Sequence, residues 1–89
     1  MLASLKKEMQ KLSSPSKAKA SAWFFKTGKG QYGYGDKFLG LVVPQCHKLA
    51  KKYVDLELSD VKKLLYSPFH EHRLVGLLIL VYRYKNAKK

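Results

Sequence analysis

One stretch rich in lysine, glycine and aromatic side chains, residues 24–40, offers the strongest candidate chemistry in this chain. Glycine lets the backbone adopt positive φ and approach a ligand closely, and lysine supplies a positive charge that suits phosphate groups. The pattern therefore predicts contact with a polyanion. The glycines are Gly28, Gly30, Gly33 and Gly35, and the lysines, Lys26, Lys29 and Lys37, lie close to Tyr32 and Tyr34.

The charge balance favours the same kind of partner. Eighteen Lys and Arg residues against six Asp and Glu residues give the 89 residues a formal net charge of +12. Nucleic acid is the leading partner class, and an anionic membrane surface or an acidic protein are the alternatives. Arg73 and Arg83 are the only arginines, and arginine provides the bidentate fork that reads guanine edges. We therefore expect contacts to phosphates and not to bases.

Two further motifs resemble sites for small ligands. Residues 28–33 fit the pattern GxGxxG, but a dinucleotide site needs a preceding strand and a helix that opens within the motif. Here a helix is predicted before the glycines, so a glycine turn between helices explains them better. His70 and His72 are two residues apart and point away from each other on a helix, which argues against a shared metal ion. We expect an exposed first turn in which the helix dipole favours Glu71.

The single cysteine is predicted to be structural. Cys46 lies on the apolar side of a predicted helix, which is typical of a buried thiol and not of a nucleophile. A lone cysteine excludes an intrachain disulfide and favours a reducing, cytoplasmic setting. The sequence indicates no cofactor, no metal site and no catalytic residue.

The periodicity predicts five helices in one small all-α domain. The first ends near Ser13, the second begins at Ser14-Pro15 and stops at Thr27-Gly28, the third begins at Val43-Pro44, the fourth is capped by Ser59, and the fifth runs from Ser67-Pro68 to about Asn86. The third helix should bury Cys46, Leu49, Ala50 and Tyr53. Residues 39–43 favour β-structure but have no pairing partner, so we interpret them as the lead-in to the third helix. Antiparallel helices with short turns are typical of the start of an α-solenoid.

The fifth helix is apolar around its whole circumference between Leu74 and Tyr82. Nine residues are far too few to cross a bilayer, which needs about 18 or more, so this segment should be buried between protein layers. Self-association through residues 74–82, a groove for another chain, or continuation into a longer solenoid would each cover its outer face. We favour the last of these.

The start of the third helix is a second candidate phosphate site. We expect free backbone amides around Val43, Gln45 and Cys46, together with the positive end of the helix dipole, to hold one phosphate. The nucleic-acid contacts predicted from the residues alone are therefore Lys26, Lys29, Lys37 and Gln45.

Two linked blocks carry a family resemblance. FFKTGKGQYGYGDKFLGLVVPQCHKLAKKY, followed by LLYSPFHEHRLVGLLILVYRYK, closely resembles the N-terminal part of bacterial DNA alkylation repair enzymes over residues 20–86. That family consists of HEAT-like-repeat DNA glycosylases that remove N3- and N7-alkylated purines.

The resemblance implies a DNA-facing scaffold that starts a HEAT-like solenoid and contacts double-stranded DNA. Phe24 corresponds to the end of a helix that borders the family's DNA-binding concavity. The resemblance therefore adds Phe24 to the predicted nucleic-acid contacts. The family's catalytic Asp and its neighbours lie on later helices, so no residue here matches them, and Trp23 is not equivalent to the catalytic tryptophans. The resemblance therefore implies the DNA-binding portion of a glycosylase, inactive alone. A stand-alone basic helical module that binds DNA or RNA, and a membrane-surface or adaptor protein, are the alternatives.

Overall fold

The computed structural model describes residues 1–24 and 37–87. These residues form five helices: α1 (Leu2–Leu12), α2 (Pro15–Phe24), α3 (Val43–Lys52), α4 (Leu58–Leu65) and α5 (His70–Ala87). The described residues contain no strand, only an isolated parallel bridge between Lys37 and Phe69. The predicted all-α class is confirmed. The solenoid arrangement stays a prediction.

Local sequence signals explain most helix starts. The Ser14 hydroxyl accepts a hydrogen bond from the Lys17 amide at 3.4 Å, and Pro15 occupies the first helical position, as predicted for α2. Val43 begins α3 as predicted. The predicted stop of the second helix at Thr27-Gly28 lies outside the described residues.

Two predicted helix starts differ from the structure. The residue that caps α4 is Glu57 and not Ser59, because the Glu57 carbonyl already accepts the Asp60 and Val61 amides. The fifth helix begins at His70 and not at Ser67-Pro68, because the backbone on both sides of Phe69 bonds to Lys37 instead of opening a helical turn.

The core forms where α5 packs against both α3 and α4. The predicted apolar stripe of α3 is confirmed, since Cys46, Leu49, Ala50 and Tyr53 are all buried. Arg83 fixes α5 to the connection between α3 and α4 by donating to the carbonyl oxygens of Val54, at 2.7 Å, and Leu56. The other buried apolar residues are Leu5, Met9, Leu39, Leu56, Val61, Leu64, Val75 and Ile79.

Candidate nucleic-acid interface

Residues 37–42, which we call the anchored segment, directly precede α3 in the chain. The segment begins on α5, where the Lys37 amide donates to the Pro68 carbonyl at 3.1 Å and the Lys37 carbonyl accepts from the His70 amide at 2.8 Å. The Lys37 side chain is exposed. Its backbone is therefore fixed while its charge is available to a partner.

A buried carboxylate holds the middle of the anchored segment. One Glu71 carboxylate oxygen accepts the Leu39 amide at 2.9 Å, and the other accepts the amides of Gly40 at 2.9 Å and Leu41 at 3.3 Å. Only 3% of Glu71 is exposed, and among the described residues no cation forms an ion pair with it. The prediction of an exposed Glu71 is wrong, because three backbone donors satisfy the charge that water would otherwise solvate.

The other side of the anchored segment contacts the turn between α1 and α2. The Ser14 amide donates to the Leu39 carbonyl at 2.8 Å. Gly40 has φ of +86°, and a Cβ atom added there would lie 2.1 Å from the Ser14 carbonyl oxygen. Only glycine fits this combination of positive φ and close backbone approach. The segment is thus clamped between α5 and the α1–α2 turn.

The start of α3 differs from the predicted phosphate site. The amides of Gln45 and Cys46 donate to the Val42 carbonyl at 3.0 and 3.2 Å, so the prediction that they are free is wrong. The Gln45 side-chain oxygen accepts the Val42 amide at 3.0 Å, which is half of a capping box. This bond uses the side-chain oxygen of Gln45, so its NH₂ group remains as a hydrogen-bond donor.

Two of the predicted contact residues, Lys37 and Gln45, lie in the described part of the chain. Lys37 opens the anchored segment, and Gln45 caps the helix that follows it. Phe24 is the last residue of α2, and its side chain lies outside the described part. Lys26 and Lys29 also lie outside the described residues. The contacts of all five residues with DNA stay predictions.

Both arginines have structural partners. The Arg73 guanidinium donates to the Ser67 carbonyl at 2.8 Å, and Arg83 bonds to the α3–α4 connection. These bonds occupy part of each guanidinium group, and the expectation that lysines contact phosphates stays a prediction.

His72 lies inside the fold beside Glu71. It is 8% exposed, and its Nδ1 lies 2.7 Å from the Ser67 hydroxyl, so the predicted exposed first turn is wrong here too. Burial lowers the pKa of His72, the charge on Lys6 lowers it further, and Glu71 opposes them. The described residues contain no group of three potential metal-ligating side chains.

Acidification should destabilise the protein through His72. The folded-state pKa of His72 lies below the usual 6.5, so as pH falls the unfolded chain binds a proton at this histidine before the folded chain does. The stabilisation present above pH 6.5 is therefore lost as pH falls through the folded-state pKa. We expect the free energy of unfolding, measured in urea, to fall less between pH 7.5 and pH 5 in His72→Gln than in the unchanged protein. Carboxylates titrate in both proteins, so the difference isolates His72. An equal fall in both would contradict the assignment.

Cys46 is a structural thiol, as predicted. It is fully buried, and this burial, with a smaller effect from Glu71, raises its pKa to about 11. A thiol with that pKa is almost entirely protonated at neutral pH, and the protonated form is a poor nucleophile. Cys46 therefore contributes to packing between α3 and α5.

The apolar part of α5 has one covered and one open side. Val75 and Ile79 are fully buried, whereas Leu77, Val81 and Tyr84 are 53%, 38% and 62% exposed. These three residues follow the i, i+4, i+7 spacing of one helix face. Self-association through residues 74–82 stays a prediction. No helix in the described part of the chain is long and apolar enough to cross a membrane.

Sequence reasoning missed Glu71 and Gly40 as the residues that fix the anchored segment. A signal for Glu71 was its place at the start of an otherwise apolar helix, where an acidic side chain can receive backbone amides. A signal for Gly40 was its isolation among the large apolar residues 38–43, since a glycine inside a β-prone run often marks a close backbone approach.

Comparison with known proteins identifies the family. The family model described as DNA alkylation repair enzyme matches residues 5–89, which is all but the first four residues. No curated protein and no solved structure matches the chain. The match covers α3, the anchored segment and α5 in one continuous region. The chain therefore belongs to the DNA alkylation repair enzyme family.

Proposed function

We propose that this chain is the N-terminal DNA-binding portion of an alkylpurine DNA glycosylase, which acts in base excision repair of N3- and N7-alkylated purines. The family match over residues 5–89 carries the proposal. The resemblance assigns no catalytic residue to this chain, so the proposed role is to bind double-stranded DNA, with the chemistry supplied by other parts of the enzyme.

The anchored segment gives this role a physical basis. A segment that contacts a polyanion loses conformational entropy on binding, and that loss is smaller when its backbone is already fixed. Glu71 and the backbone bonds of Lys37 fix the anchored segment in this way. Lys37 then presents its charge from a backbone that is fixed at both its amide and its carbonyl.

Removing the loop charges should weaken binding to every duplex to a similar degree. We expect the triple variant Lys26→Gln, Lys29→Gln and Lys37→Gln to bind unrelated 20-base-pair duplexes more weakly, since lysine contacts to phosphates carry no sequence information. If the three lysines release three counterions, the slope of log K against log salt should fall in magnitude by about 2.7, at about 0.9 per phosphate. Fluorescence anisotropy between 50 and 200 mM salt measures both quantities.

The matched control replaces three exposed lysines on α2, α3 and α4, namely Lys17, Lys51 and Lys62, by glutamine. This control removes the same net charge and should change the slope much less. Equal slopes for the two triple variants would show that binding follows net charge alone and would exclude the loop as the contact. We expect the chain alone not to release 7-methylguanine from alkylated DNA above the spontaneous rate. Faster release that a substitution in this chain abolishes would show that catalysis takes place in this chain, which contradicts the proposal.

A further inference from the structure

A groove lies between α1 and α3 on the surface that begins at the α3 cap. Its volume is about 440 Å³, and Leu49 lines it. Four polar side chains with donor groups or positive charge also line it: Lys11 from α1, and Gln45, Lys48 and Lys52 from α3. We call this the α1/α3 groove.

The single acidic residue of the groove is already paired. The Glu8 carboxylate accepts a hydrogen bond from the Lys52 ammonium group at 2.5 Å and another from the Tyr53 hydroxyl. The bond to Lys52, followed by the bond to Tyr53, lowers the pKa of Glu8, so the carboxylate stays ionised at neutral pH. This pairing fixes Lys52 at the wall of the groove and reduces the repulsion that Glu8 would exert on an anion.

Two lysines of the groove, Lys11 and Lys48, form no ion pair within the described part of the chain. The ion pairs in residues 1–24 and 37–87 are Lys52 with Glu8 and Lys63 with Asp60, so neither Lys11 nor Lys48 takes part in one. Lys48 also lies one helical turn from Lys52, at a Cβ separation of about 5–6 Å, where like charges repel. An anion bound beside Lys48 and Lys11 would offset these positive charges.

The donors form a row along α3. Gln45 stands at one end, with its oxygen bonded to the Val42 amide and its NH₂ group left to donate. Lys52 stands at the other end, seven residues later. At 1.5 Å per residue this row is about 10 Å long. Each DNA strand carries one phosphate per about 3.4 Å of helix axis, so a row of this length can meet more than one phosphate of a strand.

We propose that the α1/α3 groove is a second phosphate-binding surface, which holds the backbone of one strand of duplex DNA. This inference rests on the proposed function and extends the DNA contact from the anchored segment along α3. Lys11 and Lys48 contact phosphates directly, Gln45 donates a hydrogen bond at the end nearest the anchored segment, and Glu8 positions Lys52. A linear row of donors suits a strand better than a compact acidic patch on a protein.

The test compares two double variants of the 89-residue chain with equal net charge. Lys11→Gln with Lys48→Gln removes the two unpaired charges of the groove. Lys51→Gln with Lys62→Gln removes two exposed charges outside it, and one of them lies on the same helix. Anisotropy titrations of a 20-base-pair duplex give the affinity and the salt slope, and circular dichroism confirms equal helix content.

We expect the groove variant to bind more weakly and its salt slope to fall in magnitude by about 1.8, which is two phosphates at about 0.9 each. The control pair should keep a slope close to that of the unchanged chain. If the two pairs lower the slope equally, or if the groove variant binds as the unchanged chain does, the groove proposal is overturned while DNA binding itself stands.

Two further outcomes separate the groove from the proposed function. An unchanged chain that fails to bind duplex at 50 mM salt would overturn both proposals. Loss of binding to vesicles of anionic phospholipid in the groove variant, with duplex binding intact, would overturn the groove proposal and assign this surface to membranes. Loss of duplex binding in the groove variant, but not in the control pair, would support the groove proposal.

Discussion

Replacing Gly40 by alanine should unfold most of the protein or lower its stability by more than about 3 kcal/mol. The left-handed conformation alone costs an L-residue about 1–2 kcal/mol. The added Cβ atom would lie 2.1 Å from the Ser14 carbonyl oxygen and 2.8 Å from the Ala18 nitrogen, and neither backbone atom can rotate away. A chain of 89 residues is expected to be stable by only about 4–13 kcal/mol, so this loss is a large fraction of the total. Urea unfolding followed by circular dichroism measures it.

Gly76→Ala is the matched control for Gly40. Gly76 lies inside α5 without positive φ, and an added Cβ atom would meet the Leu64 Cβ and Leu65 Cδ2 atoms at 3.1 and 3.2 Å. Alanine favours a helix over glycine by about 1 kcal/mol, which offsets part of that crowding. We therefore expect a change much smaller than that of Gly40→Ala. Equal urea midpoints for Gly40→Ala and the unchanged protein would show that the α1–α2 turn moves away freely.

Helical periodicity predicted the part of this fold that depends on local sequence. Ser14-Pro15 and Val43-Pro44 carry their own start signals, and the stripe from Cys46 to Tyr53 follows the 3.6-residue repeat. The prediction failed at Ser67-Pro68, which has the same two residues as Ser14-Pro15. There the backbone of Lys37, thirty residues earlier, takes the hydrogen bonds that would have opened a helix.

The candidate site depends on contacts that no local pattern encodes. Glu71 reaches amides about thirty residues earlier, and Gly40 meets Ser14 across the fold. A carboxylate in a first helical turn is usually exposed and interacts with the dipole of its own helix, which explains why Glu71 was predicted to face water. Glu71 is buried instead because three backbone amides of the anchored segment donate to it, and only the tertiary structure shows these contacts.

Neutralising Glu71 should have the second large effect. In Glu71→Gln one oxygen can still accept a backbone amide, but the new NH₂ group faces the amides of Gly40 and Leu41, which are also donors. Hydrogen bonds to charged groups contribute about 1.5–3 kcal/mol each, and buried donors left without acceptors add a further penalty. We expect the free energy of unfolding in urea to fall by about 3 kcal/mol or more.

Glu57→Gln is the control for Glu71→Gln, because Glu57 is exposed and its side chain makes no hydrogen bond to the start of α4. It removes the same charge and should leave the urea midpoint almost unchanged. Hydrogen exchange locates the effect of Glu71→Gln: the amides of Leu39, Gly40 and Leu41 should lose protection before those of the α5 core, since the carboxylate is their acceptor. If these three amides stay as protected in Glu71→Gln as in Glu57→Gln, another group holds the anchored segment, and the role assigned to the Glu71 carboxylate is wrong.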